Sequence, residues 1–362
     1  MRIGFILTNL AGGGAEKAVL NIAAGLAGRG HRTDIILLEH VVVHAVPAGT
    51  GIHALTQEGQ KTSKGWVGKR LAARKLARLL EQLALEAPFQ LLVSTLPFAD
   101  EVAILAGAPA HWCRIANTLS AEVARLESSD AAKAARRIAR YRRMYGARAL
   151  IAVSDGVGED LRAGIGVAGS RIEVIPNAFD FPAMKMLAQA PAALPPRPYV
   201  IHVGRYSGQK RHDLLLEAFA RLGSAHRLVL LADDAPGLRA LIEARGLAGR
   251  VAVAGFQHNP FPWIAAADLL VLCSDHEGLP NVLIEALALG VPVVSTDCPS
   301  GPREILGAAL PECLVPTDDA GALAAAMARA LAKRPDASRV DLTRYSKERV
   351  LRAYEQLAQE PA

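Results

Sequence analysis

"LLVLCSDHEGLPNVLIEALALGVPVVST", residues 269–296, reads as one strand, loop, helix and strand. Residues 269–274 and 291–296 are apolar runs rich in Val and Leu, the pattern of strands covered on both faces in a parallel sheet. Between them a polar loop broken by Gly278 and Pro280 feeds an apolar helix over 281–289, which stops at Gly290. The loop carries one acid, Glu277, and the helix a second, Glu285, among Val282, Leu283, Ile284, Ala286, Leu287 and Leu289. A carboxylate in that company has little wet face and calls for a polar partner. The two acids lie about two helical turns apart and share nearly one face.

The same alternation extends in both directions. Upstream, strands over 199–204, 227–232 and 251–255 alternate with helices near 210–222 and 236–245. Before them, residues 182–198 hold Pro182, Pro191, Pro195, Pro196 and Pro198 among alanines and read as a linker. Residues 1–181 repeat the pattern, with strands over 2–8, 33–38, 90–95, 112–117, 149–154 and 172–177. Helices are expected from Ala15 to Gly28, over a basic stretch near 65–86 and over 121–145. The chain therefore reads as α/β with two doubly wound, Rossmann-like parallel-sheet domains, 1–181 and 199–342, facing each other across a cleft. A last helix falls within 343–362.

A chain of 362 residues and 51% hydrophobic content can bury two cores, and 5% aromatic content suits Ala/Leu/Val-rich layers. Cys113, Cys273, Cys298 and Cys313 form no CxxC, so reduced thiols are expected and a zinc site is not. The first apolar run is too short for a signal peptide or a membrane span, which points to a cytosolic or membrane-peripheral protein. Residues 1–190 hold 23 Lys/Arg against 16 Asp/Glu, and the remainder 18 against 19, so the excess of +6 sits in the first half. Two acid-free windows, 61–78 and 133–148, concentrate it. They read either as solvated helix faces or as a surface for anionic lipid, to which Trp66 and Leu71 add an apolar component. Nucleic acid is not expected, since neither stacking aromatics nor a helix-turn-helix accompanies the charge.

In sheets of this kind ligands sit at the carboxyl ends of strands. After the first strand, Gly12, Gly13 and Gly14 precede a helix start, which suits either a phosphate or a simple tight turn. The spacing is neither GxGxxG nor GxxxxGKS. After strand 199–204, Arg205 and Lys210 have no neutralising acid nearby in sequence and suit a diphosphate, the alternative being surface charge. Glu277 and Glu285 would look towards the ligand at different depths, bonded to hydroxyls. The Asp pair in 232–234 reads as a helix cap.

Taken together, "EGLPNVLIE" (277–285), "VGRYSGQK" (203–210), "GFQHNPFPWIAAADLLVLCS" (255–274), "GVPVVSTDCPSGPREIL" (290–306) and "GGGAEKAVLNIAAGLAGRGH" (12–31) resemble the GT-B retaining glycosyltransferases of family 4. The resemblance is strongest to bacterial enzymes of lipopolysaccharide, capsule or lipid-linked glycan synthesis, and it covers nearly the whole chain. It implies that Arg205 and Lys210 hold the donor diphosphate and that Glu285 accepts from the nucleotide ribose. It implies also that Glu277 orients sugar hydroxyls together with the backbone of the loop Gly278, Leu279, Pro280 and Asn281. Gly13 and Gly14 would meet the diphosphate, and Gly255, Phe256 and Gln257 would border the base.

The donor implied is a nucleotide sugar, with UDP the favoured base, and the acceptor a lipid-linked or lipopolysaccharide-core saccharide at the cytoplasmic face of the inner membrane. Neither a metal nor another cofactor is expected, and the final helix is expected to cross back to the first domain. Many relatives carry a His after the fourth strand of the first domain; here the loop reads "RIANTLSAE", with Asn117, Thr118 and Ser120. Front-face attack within an ion pair needs no enzyme nucleophile, but the proton acceptor is then open. Asp100 is the nearest candidate for contact with the acceptor, and a helix N-cap is its other reading. The other functions compatible with this pattern are a sugar-nucleotide 2-epimerase, a dinucleotide-dependent oxidoreductase, disfavoured by the missing GxGxxG, and a non-catalytic anion-binding scaffold.

Overall fold

The computed structural model describes residues 1–11, 13–127 and 129–360; Gly12 of the glycine run lies outside the described residues. The chain divides into two compact units, Met1–Phe179 with Arg344–Ala362, and Asp180–Thr343. In chain order, the first unit holds β1 (Arg2–Leu7), α1 (Gly14–Gly28), β2 (Arg32–Leu37), β3 (Thr50–Ala54), α2 (Trp66–Ala84), β4 (Leu91–Thr95) and α3 (Pro97–Leu105). It continues with β5 (His111–Ile115), α4 (Leu119–Glu127), α5 (Ala131–Tyr145), β6 (Ala149–Ala152), α6 (Asp155–Glu159) and β7 (Arg171–Val174). The second unit holds α7 (Phe181–Leu187), β8 (Tyr199–Val203), α8 (His212–Arg221), β9 (Arg227–Leu231), α9 (Pro236–Ala244), β10 (Val251–Val253), α10 (Phe261–Ala265) and β11 (Leu269–Leu272). Then come α11 (Asn281–Ala288), β12 (Val293–Thr296), α12 (Pro302–Leu306), β13 (Leu314–Val315) and α13 (Ala320–Ala332), before α14 (Lys347–Gln359) returns to the first unit.

The first sheet is ordered β3-β2-β1-β4-β5-β6-β7 and every pairing is parallel. Along β1, Ile3, Phe5 and Leu7 enter the core formed with α1 and α14, while Ile6 enters the core formed with α2 and α3. This two-faced burial is why the strand reads as an unbroken apolar run. Helix α14 packs Val350, Leu351 and Tyr354 into that first core, as the sequence expectation of a returning helix requires. Gly25 of α1 admits it: a Cβ there would stand 2.6 Å from Leu351 Cδ1. The joint is stitched by main-chain bonds from Phe179 N to Tyr345 O (3.0 Å) and from Lys347 N to Phe179 O (2.9 Å).

The second sheet is ordered β10-β9-β8-β11-β12-β13, again all parallel. A core of this unit joins Leu215 and Phe219 of α8, Leu228 of β9, Val271 of β11, and Leu323 and Met327 of α13. Both units are doubly wound, the fold class read from the sequence.

Three expectations change in detail. Residues 182–198 are not wholly irregular, because α7 occupies Phe181–Leu187, capped by Asp180, which accepts from Ala183 N. The helix expected over 121–145 is two helices; Asp130 caps the second by accepting from Lys133 N, which starts a new helix rather than continuing the old. The cap of α9 is Ala235, without a side-chain bond, and Asp234 instead pairs with Arg239 at 2.5 Å.

Candidate functional site

In the second unit, the loops after β8, β11 and β12 gather the residues singled out in sequence. β8 runs into a 3-10 turn over Gly208–Lys210, and Lys210 Nζ lies 2.6 Å from Glu277 Oε1 in the loop after β11. Their side chains are 21% and 8% exposed, so the pair is half buried. Ser274 Oγ donates to the same Glu277 oxygen at 2.6 Å, and Thr296 Oγ1 anchors Ser274 through its carbonyl at 2.8 Å. The buried Glu277 therefore has a cation and a hydroxyl on it, as a desolvated carboxylate requires. Glu277 N donates to Pro299 O at 3.1 Å, which ties this loop to the one after β12. Gly301 allows that approach: its φ is +97°, and a Cβ would fall 2.2 Å from Pro280 Cδ.

Beneath Lys210 lie two fully buried imidazoles. His202 Nδ1 donates to Val271 O at 2.9 Å, and its ring meets that of His212 edge-on at 4.8 Å. Burial first, then the neighbouring His212 and the Lys210 ammonium, push His202 down to about 3. Burial and Lys210 push His212 down to about 4. Both rings are thus neutral near pH 7 and add no charge beside the lysine.

Other predicted residues surround this pair. Arg205 is exposed in the same loop, and no described residue pairs with it. Gly278 to Pro280 line the approach to α11, with Leu279 buried and Asn281 the first residue of the helix. Glu285 is half buried rather than buried, so the tension noted in the sequence is smaller than it reads. Gly255 has φ +72°, Phe256 is 65% exposed against His258, and Gln257 Nε2 donates to Ala254 O at 2.7 Å.

In the first unit, Gly13 is the extended N-cap of α1, and Glu16 from the first turn occupies the space beside it. A Cβ at Gly14 would meet only open space. Asn117 Nδ2 donates to Glu122 Oε1 at 2.9 Å, Thr118 is buried, and Asp160 Oδ2 accepts from Leu119 N (2.8 Å) and Ser120 N (3.2 Å) at the start of α4. The loop that lacks a His is thus a capped helix entry.

Asp100 is not the helix N-cap that was one of its readings: the N-cap of α3 is Leu96, and the Asp100 side chain is fully buried. It accepts from Ser94 Oγ at 2.5 Å and Tyr145 Oη at 2.7 Å, and His111 Nε2 lies 2.8 Å from Ser94 Oγ. Burial outweighs these bonds and pushes the carboxyl up to about 7. Burial, helped by Arg148, pushes His111 down to about 4. This is an internal polar cluster joining β4, α3, β5 and α5. Sequence reasoning missed it because Tyr145 is remote along the chain.

The basic windows fall on α2 and α5. Trp66, Val67 and Leu71 are exposed at 69%, 61% and 52%, with Arg70 over the Trp66 ring at 4.2 Å. Part of the charge is compensated, since Lys69 and Arg140 both reach Glu101 of α3, at 2.8 and 2.5 Å. Among the described residues no helix is long and apolar enough to cross a membrane, and no group of three His, Cys, Asp or Glu could hold a metal ion. The four cysteines are free and buried.

These features match known proteins along most of the chain. The profile described as Glycosyltransferase Family 4 matches residues 12–181, and that described as Glycosyl transferases group 1 matches 197–333. An N-acetylgalactosamine-N,N'-diacetylbacillosaminyl-diphospho-undecaprenol 4-alpha-N-acetylgalactosaminyltransferase of Campylobacter jejuni is 36% identical over 156 residues, 42% of each chain. A lipopolysaccharide 1,6-galactosyltransferase of Salmonella typhimurium is 30% identical over 164 residues, 43% of this chain and 45% of that one. The chain thus matches less than half the length of these relatives. Among solved structures, sucrose-phosphate synthase from Thermosynechococcus elongatus superposes with TM-score 0.77 at 19% identity, covering 99% of this chain and 98% of that one. Anabaena HepE in complex with UDP and glucose gives 0.73 at 19% identity, covering 99% and 100%.

Two Rossmann-like units with this strand order, and such neighbours, define the GT-B glycosyltransferase fold. The chain belongs to the GT-B glycosyltransferases of the family 4 type.

Proposed function

We propose that this chain is a retaining, metal-independent hexosyltransferase. It moves a hexose or N-acetylhexosamine from a UDP-sugar to a lipid-linked or lipopolysaccharide-core saccharide. The Lys210–Glu277 pair, set at the carboxyl ends of β8 and β11, carries this reading. A cation for the diphosphate and an acid for sugar hydroxyls stand together there, where a donor's phosphate and sugar are also neighbours. The names of the relatives support the acceptor class, and neighbours solved with UDP and UDP-glucose support the donor.

In this reading Lys210 and Arg205 take up the charge that develops on the diphosphate as the C1–O bond breaks. Removing either costs roughly 3 to 4 kcal/mol in the transition state, as for other electrostatic clamps. Glu277 releases part of its bond to Lys210 to accept from sugar hydroxyls, Ser274 holding it in place. Glu285 accepts from the ribose, and Gly255 to Gln257 border the base. Asn117, Thr118 and Ser120 stand on the acceptor side, while Asp100, being buried, contacts no acceptor. With no side-chain base assigned, the departing phosphate oxygen takes the acceptor's proton. The exposed Trp66, Val67 and Leu71 of α2, with the basic residues of α2 and α5 that do not reach Glu101, rest on an anionic membrane surface.

The test is thermal stability against UDP, GDP, ADP and CMP in EDTA, for wild type and Lys210→Ala. A rise with UDP that the variant loses is expected. No rise with any nucleotide overturns the reading. Turnover of UDP-sugars with undecaprenyl-linked and core acceptors, with the product anomer read by NMR, then fixes stereochemistry and acceptor. Vesicle binding that survives charge reversal in 61–78 refutes the membrane contact.

A further inference from the structure

Lys210 is followed by Arg211, a residue that the motifs do not single out. Its backbone is left-handed, with φ 46° and ψ 50°, a conformation that L-residues with a Cβ adopt reluctantly. Its guanidinium reaches three carboxylates. Nε donates to Asp213 at 3.1 and 3.2 Å, Nη2 donates to Asp213 at 3.0 Å, and Nη1 donates to Asp275 at 2.8 Å and also to Asp318. Those acids belong to three different pieces of the rim: the start of α8, the loop after β11 and the loop after β13.

Asp318 is itself left-handed at φ 60°, and so is Ser300 at φ 64° in the loop after β12. Among the described residues of the second unit, every non-glycine residue of positive φ therefore lies in a loop that follows a strand. Strain concentrated in this way marks places where surrounding contacts enforce a geometry.

The main chain agrees with the ion cluster. Asp275 N donates to Gln209 O at 2.9 Å, Gln209 Nε2 donates to His276 O at 2.7 Å, and Cys273 Sγ donates to Lys210 O at 3.1 Å. Residues 209–211 are thus bound on both sides to 273–276, the segment that ends next to Glu277. Three carboxylates around Arg211 leave it no charge to offer an anionic donor, whereas Lys210 faces the single acid Glu277. The planar fork can hold several loops at once, which a lysine ammonium does not do with comparable geometry.

We propose that Arg211 is a positioning residue for Lys210. It holds the 208–211 turn against the loops after β11 and β13 and so fixes the ammonium that receives the donor diphosphate. The proposal rests on the donor-binding reading above. The discriminating variant is Arg211→Gly, because glycine accepts the left-handed backbone and removes only the fork.

UDP affinity is measured by calorimetry, and into the millimolar range by ligand-observed NMR, for wild type, R211G, K210A and R211G/K210A. R211G is expected to weaken UDP about tenfold in the wild-type background and less than about twofold when Lys210 is already absent, the non-additivity of residues acting through one contact. R211K should recover only part of the loss, and D318A, which cuts one exposed arm, should reproduce part of it. Equal losses in both backgrounds would mean a merely structural role and overturn the proposal, as would unchanged binding in R211G. Absence of UDP binding in the wild type would instead refute the donor reading itself.

Discussion

Replacing Asp100 by asparagine isolates the internal cluster of the first unit. The carboxyl titrates at about 7 in the fold against an ordinary value of 3.8. The folded state therefore holds a proton that the unfolded chain has released between those two values. Stability from this group is fully present below the unfolded value and is lost as pH rises through 7. At 1.36 kcal/mol for each pH unit of difference, the loss amounts to about 4 kcal/mol at most between pH 4 and pH 8.

His111 works in the opposite direction. It is held at about 4 against 6.5, so its contribution is present above 6.5 and lost as pH falls towards 4. The two nearly cancel over the shared window, which leaves the wild-type profile misleadingly flat. The amide introduced by Asp100→Asn cannot ionise, yet its oxygen still accepts from Tyr145 or Ser94. Urea unfolding of both proteins from pH 4.5 to 8 should show the variant gaining on the wild type by several kcal/mol as pH rises, with turnover within about threefold of wild type. Parallel profiles would refute the buried-carboxyl account. A collapse of turnover with intact stability would return Asp100 to the acceptor.

Ser274→Ala removes one of the side-chain bonds on Glu277, worth about 1 to 2 kcal/mol, and should lower the melting temperature by a few degrees and kcat/KM by roughly five- to thirtyfold. Gly301→Ala meets both a positive φ and Pro280 at 2.2 Å; loss of UDP-induced stabilisation, read by calorimetry, is the expected result. Gly25→Val drives a side chain into Leu351 and should destabilise the first unit by about 1 to 3 kcal/mol, seen as an earlier unfolding transition.

The parallel strands were readable because both of their faces are covered, which makes 269–273 or 3–7 free of polar side chains. β3 was not, since an edge strand such as "TGIHA" is half exposed and has no such pattern. Lys210 and Glu277 were readable as charges at strand ends, but their contact with each other was not, because pairing depends on which strands neighbour in the sheet. Asp100 shows the limit most clearly: a carboxylate just after a strand has the same local sequence whether it faces water or Tyr145. The ion cluster of Arg211 left no sequence signal, as two of its three carboxylates, Asp275 and Asp318, come from loops remote along the chain.

The return of α14 to the first core has a consequence for synthesis on the ribosome. Tyr354 and Leu351 fill a face of the first sheet, yet the ribosome makes them only after the whole of 180–343. The second unit is therefore complete in the chain while Phe5 still lacks the ring of Tyr354 and Gly25 of α1 still lacks Leu351. The nascent first unit thus lacks part of its apolar cover throughout translation of residues 180–343.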